Sequence, residues 1–154
     1  WKKRSVQKTY IALVAGKMDT LTGKIQAGIT RSRADRTRMA VSSRVRARAS
    51  NTDFKVLQHF PTVNVTLLEA YPHTGRTHQI RVHFGAIGHP IMGDNKYGVI
   101  KTNKAFREEI TPLTLHHQFL HAKQLELTSP ATGAELKIEA PIPADLNQIL
   151  TVLK

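Results

Sequence analysis

The chain contains no cysteine in its 154 residues. That excludes a disulfide framework and thiolate metal sites, and agrees with a reducing compartment. Aromatics are scarce at 6%, and no apolar run approaches the roughly 20 residues that carry a helix across a bilayer. The opening Trp1-Lys2-Lys3-Arg4 is not followed by the apolar stretch of a secretory leader. A cytosolic protein with no membrane partner is the expectation. Also missing are a phosphate-binding P-loop, a G-x-S-x-G elbow and a dinucleotide fingerprint, so nothing local supports nucleotide hydrolysis, serine hydrolase chemistry or hydride transfer. Acids are few as well, 11 Asp+Glu against 23 Lys+Arg, a formal charge of +12.

The basic excess is concentrated. Residues 1–10 hold Lys2, Lys3, Arg4 and Lys8 with no acid, a net of +4, and residues 31–48 hold Arg31, Arg33, Arg36, Arg38, Arg44, Arg46 and Arg48 against Asp35 alone, a net of +6. The rest of the chain is nearly balanced. Arginine dominates the second cluster, and its planar fork binds phosphate bidentately and stacks on bases, which makes nucleic acid the favoured partner. A solvated basic loop with no specific partner is the bland alternative.

With 40% hydrophobic residues, the length suits one domain with a core of its own. No repeat, low-complexity tract or linker divides it. Thr9–Ala15 reads as a buried strand closed by Gly16. Residues 17–52 are polar and arginine-rich, with weak strands at best. Phe54–Phe60 and Val63–Ala70 read as two strands joined at Pro61-Thr62. From Thr77 the period becomes helical, with Ile80, Phe84 and Ile87 on one face, Thr77 as the cap, and Gly88 followed by Pro90 as the stop. Asn103–Ile110 reads as a short helix, Lys123–Thr128 and Glu135–Ala140 as a hairpin, and Ala144–Leu153 as a closing helix. Hairpin-like neighbours outnumber helices, so the expected class is α+β with a largely antiparallel sheet flanked by helices.

Three segments carry chemistry. They are Lys8-Thr9-Tyr10-Ile11-Ala12-Leu13-Val14-Ala15-Gly16; Gly75-Arg76-Thr77-His78-Gln79-Ile80-Arg81-Val82-His83, continuing to Gly88-His89-Pro90-Ile91-Met92-Gly93-Asp94 and Tyr97-Gly98; and Leu120-His121-Ala122. In the second, a glycine turn leads into a helix whose first turn holds Arg76, His78 and Gln79 beside free backbone N–H groups, a good anion site. Arg81 lies near the edge of the apolar face, and an inward arginine needs a carboxylate or an anion, whether in a structural ion pair or a functional one. Tyr10 sits mid-strand among apolar neighbours, either as a core tyrosine or as a platform for a base. Eight histidines are present, but no nearby glutamate completes a metalloprotease-like pattern, and a metal site is not expected.

These segments, in this order, resemble the signature blocks of the RluA-type RNA pseudouridine synthases, from Lys8 to about Asp145. The second block is long and specific. The resemblance implies a pseudouridine-synthase-like fold and isomerisation of uridine to pseudouridine in RNA by base flipping, with no cofactor or metal. Arg38-Met39-Ala40-Val41 is more similar to the ribosomal-RNA members, so large-subunit ribosomal RNA is the favoured substrate and transfer RNA a possible one. Residue by residue, Tyr10 matches the tyrosine that stacks on the flipped uracil. Arg81 matches the arginine that pairs with the catalytic aspartate. Leu120 lies where the family places an apolar residue on the floor of the base pocket, and Arg76 and His78 are expected to meet substrate. Lys8, Arg31, Arg33, Arg36, Arg38, Arg44 and Arg46 are expected to grip RNA, while Gly93 and Asp94 read as structural.

The family's aspartate, in an His-Arg-Leu-Asp block before the tyrosine, has no counterpart among the nine residues preceding Tyr10. The expectation is therefore that residues 1–154 are the C-terminal part of a catalytic domain, completed by an N-terminal remainder and inactive alone. Arg81 is expected to be mostly buried, with its guanidinium near the Tyr10 ring and opening on a cavity. Two other readings stay open on the residues alone: a non-catalytic RNA-binding module, and a DNA-binding protein, although no helix-turn-helix is recognisable.

Overall fold

The computed structural model describes residues 6–153. The basic residues Lys2, Lys3 and Arg4 lie outside that range. In chain order the elements are β1 (Gln7–Ala15), β2 (Thr22–Gln26), β3 (Ile29–Arg31), β4 (Met39–Val41), β5 (Asn51–Phe60), β6 (Val65–Pro72), α1 (Gln79–Ala86), α2 (Ile100–Glu109), β7 (Leu120–Thr128), β8 (Glu135–Glu139) and α3 (Ala144–Val152). Six strands form one sheet in the order β2-β5-β6-β1-β7-β8, and β3 and β4 form a separate two-stranded ribbon. All of these pairings are antiparallel, as the hairpin-like spacing leads one to expect.

The inner strand β1 shows why the sheet has helices on both faces. Successive side chains on a strand point to opposite sides. Ile11, Leu13 and Ala15 enter one cluster with Phe106 and Ile110 from α2 and its end, and Leu146 and Ile149 from α3. Ala12 and Val14 enter another with Ile80 and Phe84 of α1 and with Phe54 and Leu68 of the neighbouring strands, and Tyr10 packs at its margin. Each fully buried Ile, Leu or Phe contributes about 1.5–3 kcal/mol, so β1, buried on both faces from Ile11 to Ala15, anchors both clusters.

Two departures from the sequence reading, and the weak strands it allowed for, have physical causes. The arginine-rich stretch does form strands, because the ribbon needs little core: Ile29 is its only fully buried side chain, and main-chain bonds hold the rest. Ile29 exchanges N–H and carbonyl bonds with Arg48 at 2.9 Å each way, and the Ser42 N–H meets the Gly28 carbonyl at 2.8 Å. Helix α2 starts at Ile100, three residues ahead of the expected Asn103. Helix α1 starts at Gln79, with His78 rather than Thr77 as the N-cap and no side-chain cap bond. Here the Gln79 side chain replaces the cap. Its Oε1 accepts the Arg76 N–H at 3.0 Å and the Thr74 hydroxyl at 2.7 Å, while its Nε2 donates to the Asn51 carbonyl at 2.9 Å and to Thr52 Oγ1 at 3.0 Å. Arg76 and His78 thus precede the helix, and the Arg76 N–H is already satisfied. The anion site expected in the first turn of α1 does not form in that way.

Candidate active site

The site is built where β1, β7 and the start of α1 meet. Between Thr9 and Tyr10 the β1–β7 register slips. Such bulges re-aim a side chain at a sheet edge or beside a site. Tyr10 then lies opposite Ala122, and Ala12 opposite Leu120, so Tyr10 and Leu120 sit diagonally on one face of the sheet. Arg81 reaches the same place from the first turn of α1, and His78 and Arg76 from the residues just before it. Tyr10, Leu120, Arg81, His78, Arg76 and Lys8 all line one open cavity of about 280 Å³. Tyr10, Pro72, Ile80 and Leu120 give it apolar surface beside the cations, and no aspartate or glutamate lines it.

Arg81 is anchored from behind. Its Nε and Nη2 donate to the two carboxylate oxygens of Asp94, each at 2.7 Å, and its side chain is only 15% exposed. Asp94 is fully buried and also accepts the N–H groups of Lys96 and Tyr97 at 2.8 and 2.9 Å. Burial of Asp94 works against its charge, but the Arg81 fork and the two backbone donors outweigh it and hold the carboxyl below its usual range. The loop bearing it requires two glycines. Gly93 has φ +73° and abuts the His117 carbonyl and Leu115, and a side chain at Gly98 would run into the Asp94 carbonyl and Asn103. Asp94 is structural, as the sequence reading has it, and its structural task is to hold Arg81. The Nη1 of Arg81 has no hydrogen-bond partner among the described residues, and a second carboxylate or an anion can still meet it.

Tyr10 and Arg81 line the same cavity, but the ring beside the guanidinium is that of Tyr97, 5.0 Å from the Arg81 Cζ to the ring centroid. Sequence reasoning placed Tyr97 in the second segment but gave it no role. Its hydroxyl meets the Met39 N–H of β4 and the His78 Nδ1, each at 2.9 Å. Burial, then Arg81 and Lys96, push the His78 imidazole below its ordinary pKa, with Asp94 opposing in part.

The ribbon arginines lie elsewhere. Arg31, Arg33, Arg44 and Arg46 line a separate shallow groove of about 520 Å³ on the ribbon. Arg36 is exposed there, and its carbonyl accepts a bond from Arg31 Nη1 at 2.8 Å. Arg38 faces the site side, pairing with Asp35 at 3.3 Å and lying 6.0 Å from the Tyr97 ring centroid. A further hollow of about 370 Å³ next to Arg81 contains Arg38, Lys96, His116 and Gln118, so basic surface continues from the cavity toward the ribbon. No group of three His, Asp or Glu side chains able to hold a metal ion occurs among the described residues, and none of their helices is long and apolar enough to cross a membrane.

A family model described as RNA pseudouridylate synthase matches residues 1–86. The chain is 40% identical over 153 residues to the ribosomal large subunit pseudouridine synthase D of Nitrosomonas europaea, covering 99% of this chain and 42% of that protein. It is 36% identical over 153 residues to the ribosomal large subunit pseudouridine synthase C of Pasteurella multocida, covering 99% of this chain and 45% of that one. Among solved structures, human RNA pseudouridylate synthase domain containing 1 superposes with a TM-score of 0.75 at 26% identity, over 99% of this chain and 67% of that one. The chain thus spans under half the length of the curated relatives it matches. The family model, the sequence identity and the whole-chain superposition agree: this chain belongs to the RNA pseudouridylate synthase family.

Proposed function

We propose that the chain is the C-terminal part of a catalytic domain that isomerises uridine to pseudouridine in RNA, with large-subunit ribosomal RNA as substrate. The observation that carries this is the convergence of Tyr10, Leu120 and Arg81 from three separate elements on one cavity. A uridine flipped from its stack places its base between the Tyr10 ring and Leu120, and the cations beside them attract the flanking phosphates. The bond between sugar and base is cut and remade within that cavity. The reaction needs a carboxylate as nucleophile or base, and the cavity wall has none. In this reading an N-terminal remainder of the domain supplies it, and the free Nη1 of Arg81 keeps it ionised and oriented. Asp94 is committed to the other edge of the guanidinium. Lys8 and the ribbon arginines hold the RNA backbone. The names of the ribosomal relatives support the choice of RNA, and a cytosolic location belongs to the same reading.

Incubation with unmodified large-subunit ribosomal RNA tests it. Residues 1–154 alone should form no pseudouridine above background. The chain extended by its aspartate-bearing segment should form it, and replacement of Tyr10 or Arg81 should abolish it. Product from the chain alone would show that the carboxylate has been sought in the wrong place. No product from the extended chain on any ribosomal or transfer RNA would overturn the synthase reading.

A further inference from the structure

His78 has an unusual backbone. Its φ is +55°, in the left-handed region that few residues other than glycine adopt. Such a conformation persists where the surroundings over-determine it, and it gathers at functional sites. The His78 side chain is held by Tyr97. The Tyr97 hydroxyl has a single proton, and the Met39 N–H can only donate, so at that contact the phenol oxygen is the acceptor. The proton of Tyr97 is then free for His78 Nδ1, which lies at 2.9 Å. An Nδ1 that accepts leaves the imidazole proton on Nε2. That nitrogen has no partner among the described residues, and His78 lines the cavity with Tyr10, Leu120 and Arg81.

The Tyr97 ring is itself fixed. It meets the imidazole edge to face, with centroids 5.5 Å apart and planes at 68°, and lies under the Arg81 guanidinium at 5.0 Å. Its backbone N–H is held by Asp94 Oδ1 at 2.9 Å. The charged groups acting on the imidazole are Arg81, Lys96 and Asp94; burial and the two cations disfavour a third positive charge.

We propose that Tyr97 is a positioning residue that locks His78 as its Nε2–H tautomer, so that His78 offers a neutral hydrogen-bond donor to a carbonyl oxygen of the base in the cavity. The proposal rests on the reading of that cavity as a nucleobase pocket. A neutral donor suits a neutral carbonyl. A phosphate contact would favour the imidazolium, which this environment opposes. Because Tyr97 takes its other bond from Met39, the same hydroxyl ties the donor's position to the arginine ribbon.

Two measurements on the full chain test this, and they fail separately. The first uses no RNA. Long-range ¹H–¹⁵N spectra of the labelled protein at pH 7.5 should show His78 neutral and protonated at Nε2, with Tyr97→Phe converting it to a tautomer mixture. An Nδ1-protonated or cationic His78 in the unsubstituted chain overturns the positioning role, and this holds even if the variant fails to fold. The second compares a short oligouridylate with an abasic oligonucleotide of equal length. His78→Ala should weaken oligouridylate binding about tenfold and Tyr97→Phe about threefold, the scale of one hydrogen bond lost or loosened. His78→Gln, whose amide can donate from near the Nε2 position, should recover most of the loss, with the salt dependence unchanged. Abasic binding should not move. Equal losses on both oligonucleotides would mean a phosphate contact and overturn the base-carbonyl role. Equal affinity of the unsubstituted chain for both would overturn the base pocket itself, whatever the tautomer.

Discussion

The cavity and the arginine ribbon are both basic, but they are built in opposite ways. At the cavity Arg81 and His78 each have a fixed place. Arg81 is clamped by a buried carboxylate, His78 by a tyrosine hydroxyl, and both clamps are closed by backbone N–H groups. On the ribbon Arg31, Arg33, Arg36, Arg44 and Arg46 are exposed, and the side-chain ties are few: Arg31 to the Arg36 carbonyl and Arg38 to Asp35. Fixed groups select one geometry, whereas exposed cations attract any phosphate within a Debye length. In the proposed reading, the difference teaches that charge by itself locates where RNA is gripped. Where a base is placed is decided by the neutral and buried partners of the charges.

The sharpest way to break this contrast is at Asp94. Asp94→Ala leaves Arg81 mostly buried without its carboxylate and orphans the Lys96 and Tyr97 N–H groups. Loss of one partner of a buried pair costs about 3–5 kcal/mol, and urea unfolding should show a loss near the lower end, since Arg81 is 15% exposed. A loss below about 1 kcal/mol would mean that the pair is no more than surface electrostatics.

A smaller effect is expected at His83, fully buried on the same helix. Its Nδ1 meets the Thr52 hydroxyl at 2.9 Å and its Nε2 the Ala27 carbonyl at 3.2 Å. His83→Ala should cost about 1–3 kcal/mol by stranding those groups. It should also change the pH dependence. Burial lowers the His83 pKa, the Ala27 bond opposing, so below about pH 6.5 the unfolded chain takes up the proton before the folded one does. The stability from a neutral His83 is therefore complete above that pH and declines as pH falls toward the folded-state value; His78 adds in the same direction. Urea midpoints at pH 8, 7, 6 and 5 should fall for the unsubstituted chain, and less for His83→Ala.

The least effect on stability belongs to the ribbon. Arg33→Ala, on an exposed side chain, should shift unfolding by less than about 0.5 kcal/mol. A larger loss would show that the ribbon arginines have structural partners after all.

How much of this was legible in the sequence follows from how local each signal is. The apolar run of β1 and the helical period of α1 are carried by nearby residues, and both elements are present, β1 from Gln7 to Ala15 and α1 with its start displaced to Gln79. Tyr10, Leu120 and Arg81 were singled out by family resemblance, and the geometry brings them to one cavity without assigning their roles. The pairing of Arg81 with Asp94 spans 13 positions and a glycine-dependent loop, so no periodicity announces it. The Tyr97 hydroxyl bond to Met39 crosses 58 positions, and a tyrosine in a polar loop looks like any other. The ribbon was obscured because its strands are short and main-chain bonds, not an apolar pattern, hold them. The late start of α1 has the same origin: Gln79 is a good helix former, and nothing in its type shows that its amide turns back to close the preceding turn.

The account stands most directly on a salt titration of RNA binding. The chain, an Arg31, Arg33, Arg44, Arg46 quadruple alanine variant and Tyr10→Ala should be compared on one RNA stem-loop with an unpaired uridine. If about five side chains neutralise phosphates, log affinity should fall against log salt with a slope of roughly −3.5 to −4.5. The quadruple variant should flatten that slope by about three units if all four side chains meet phosphate, because each lost contact removes a little under one. Tyr10→Ala should keep the full slope and lose affinity, since stacking releases no counterions. Equal slopes for the chain and the quadruple variant, or a flattened slope for Tyr10→Ala, would contradict the division of labour between ribbon and cavity.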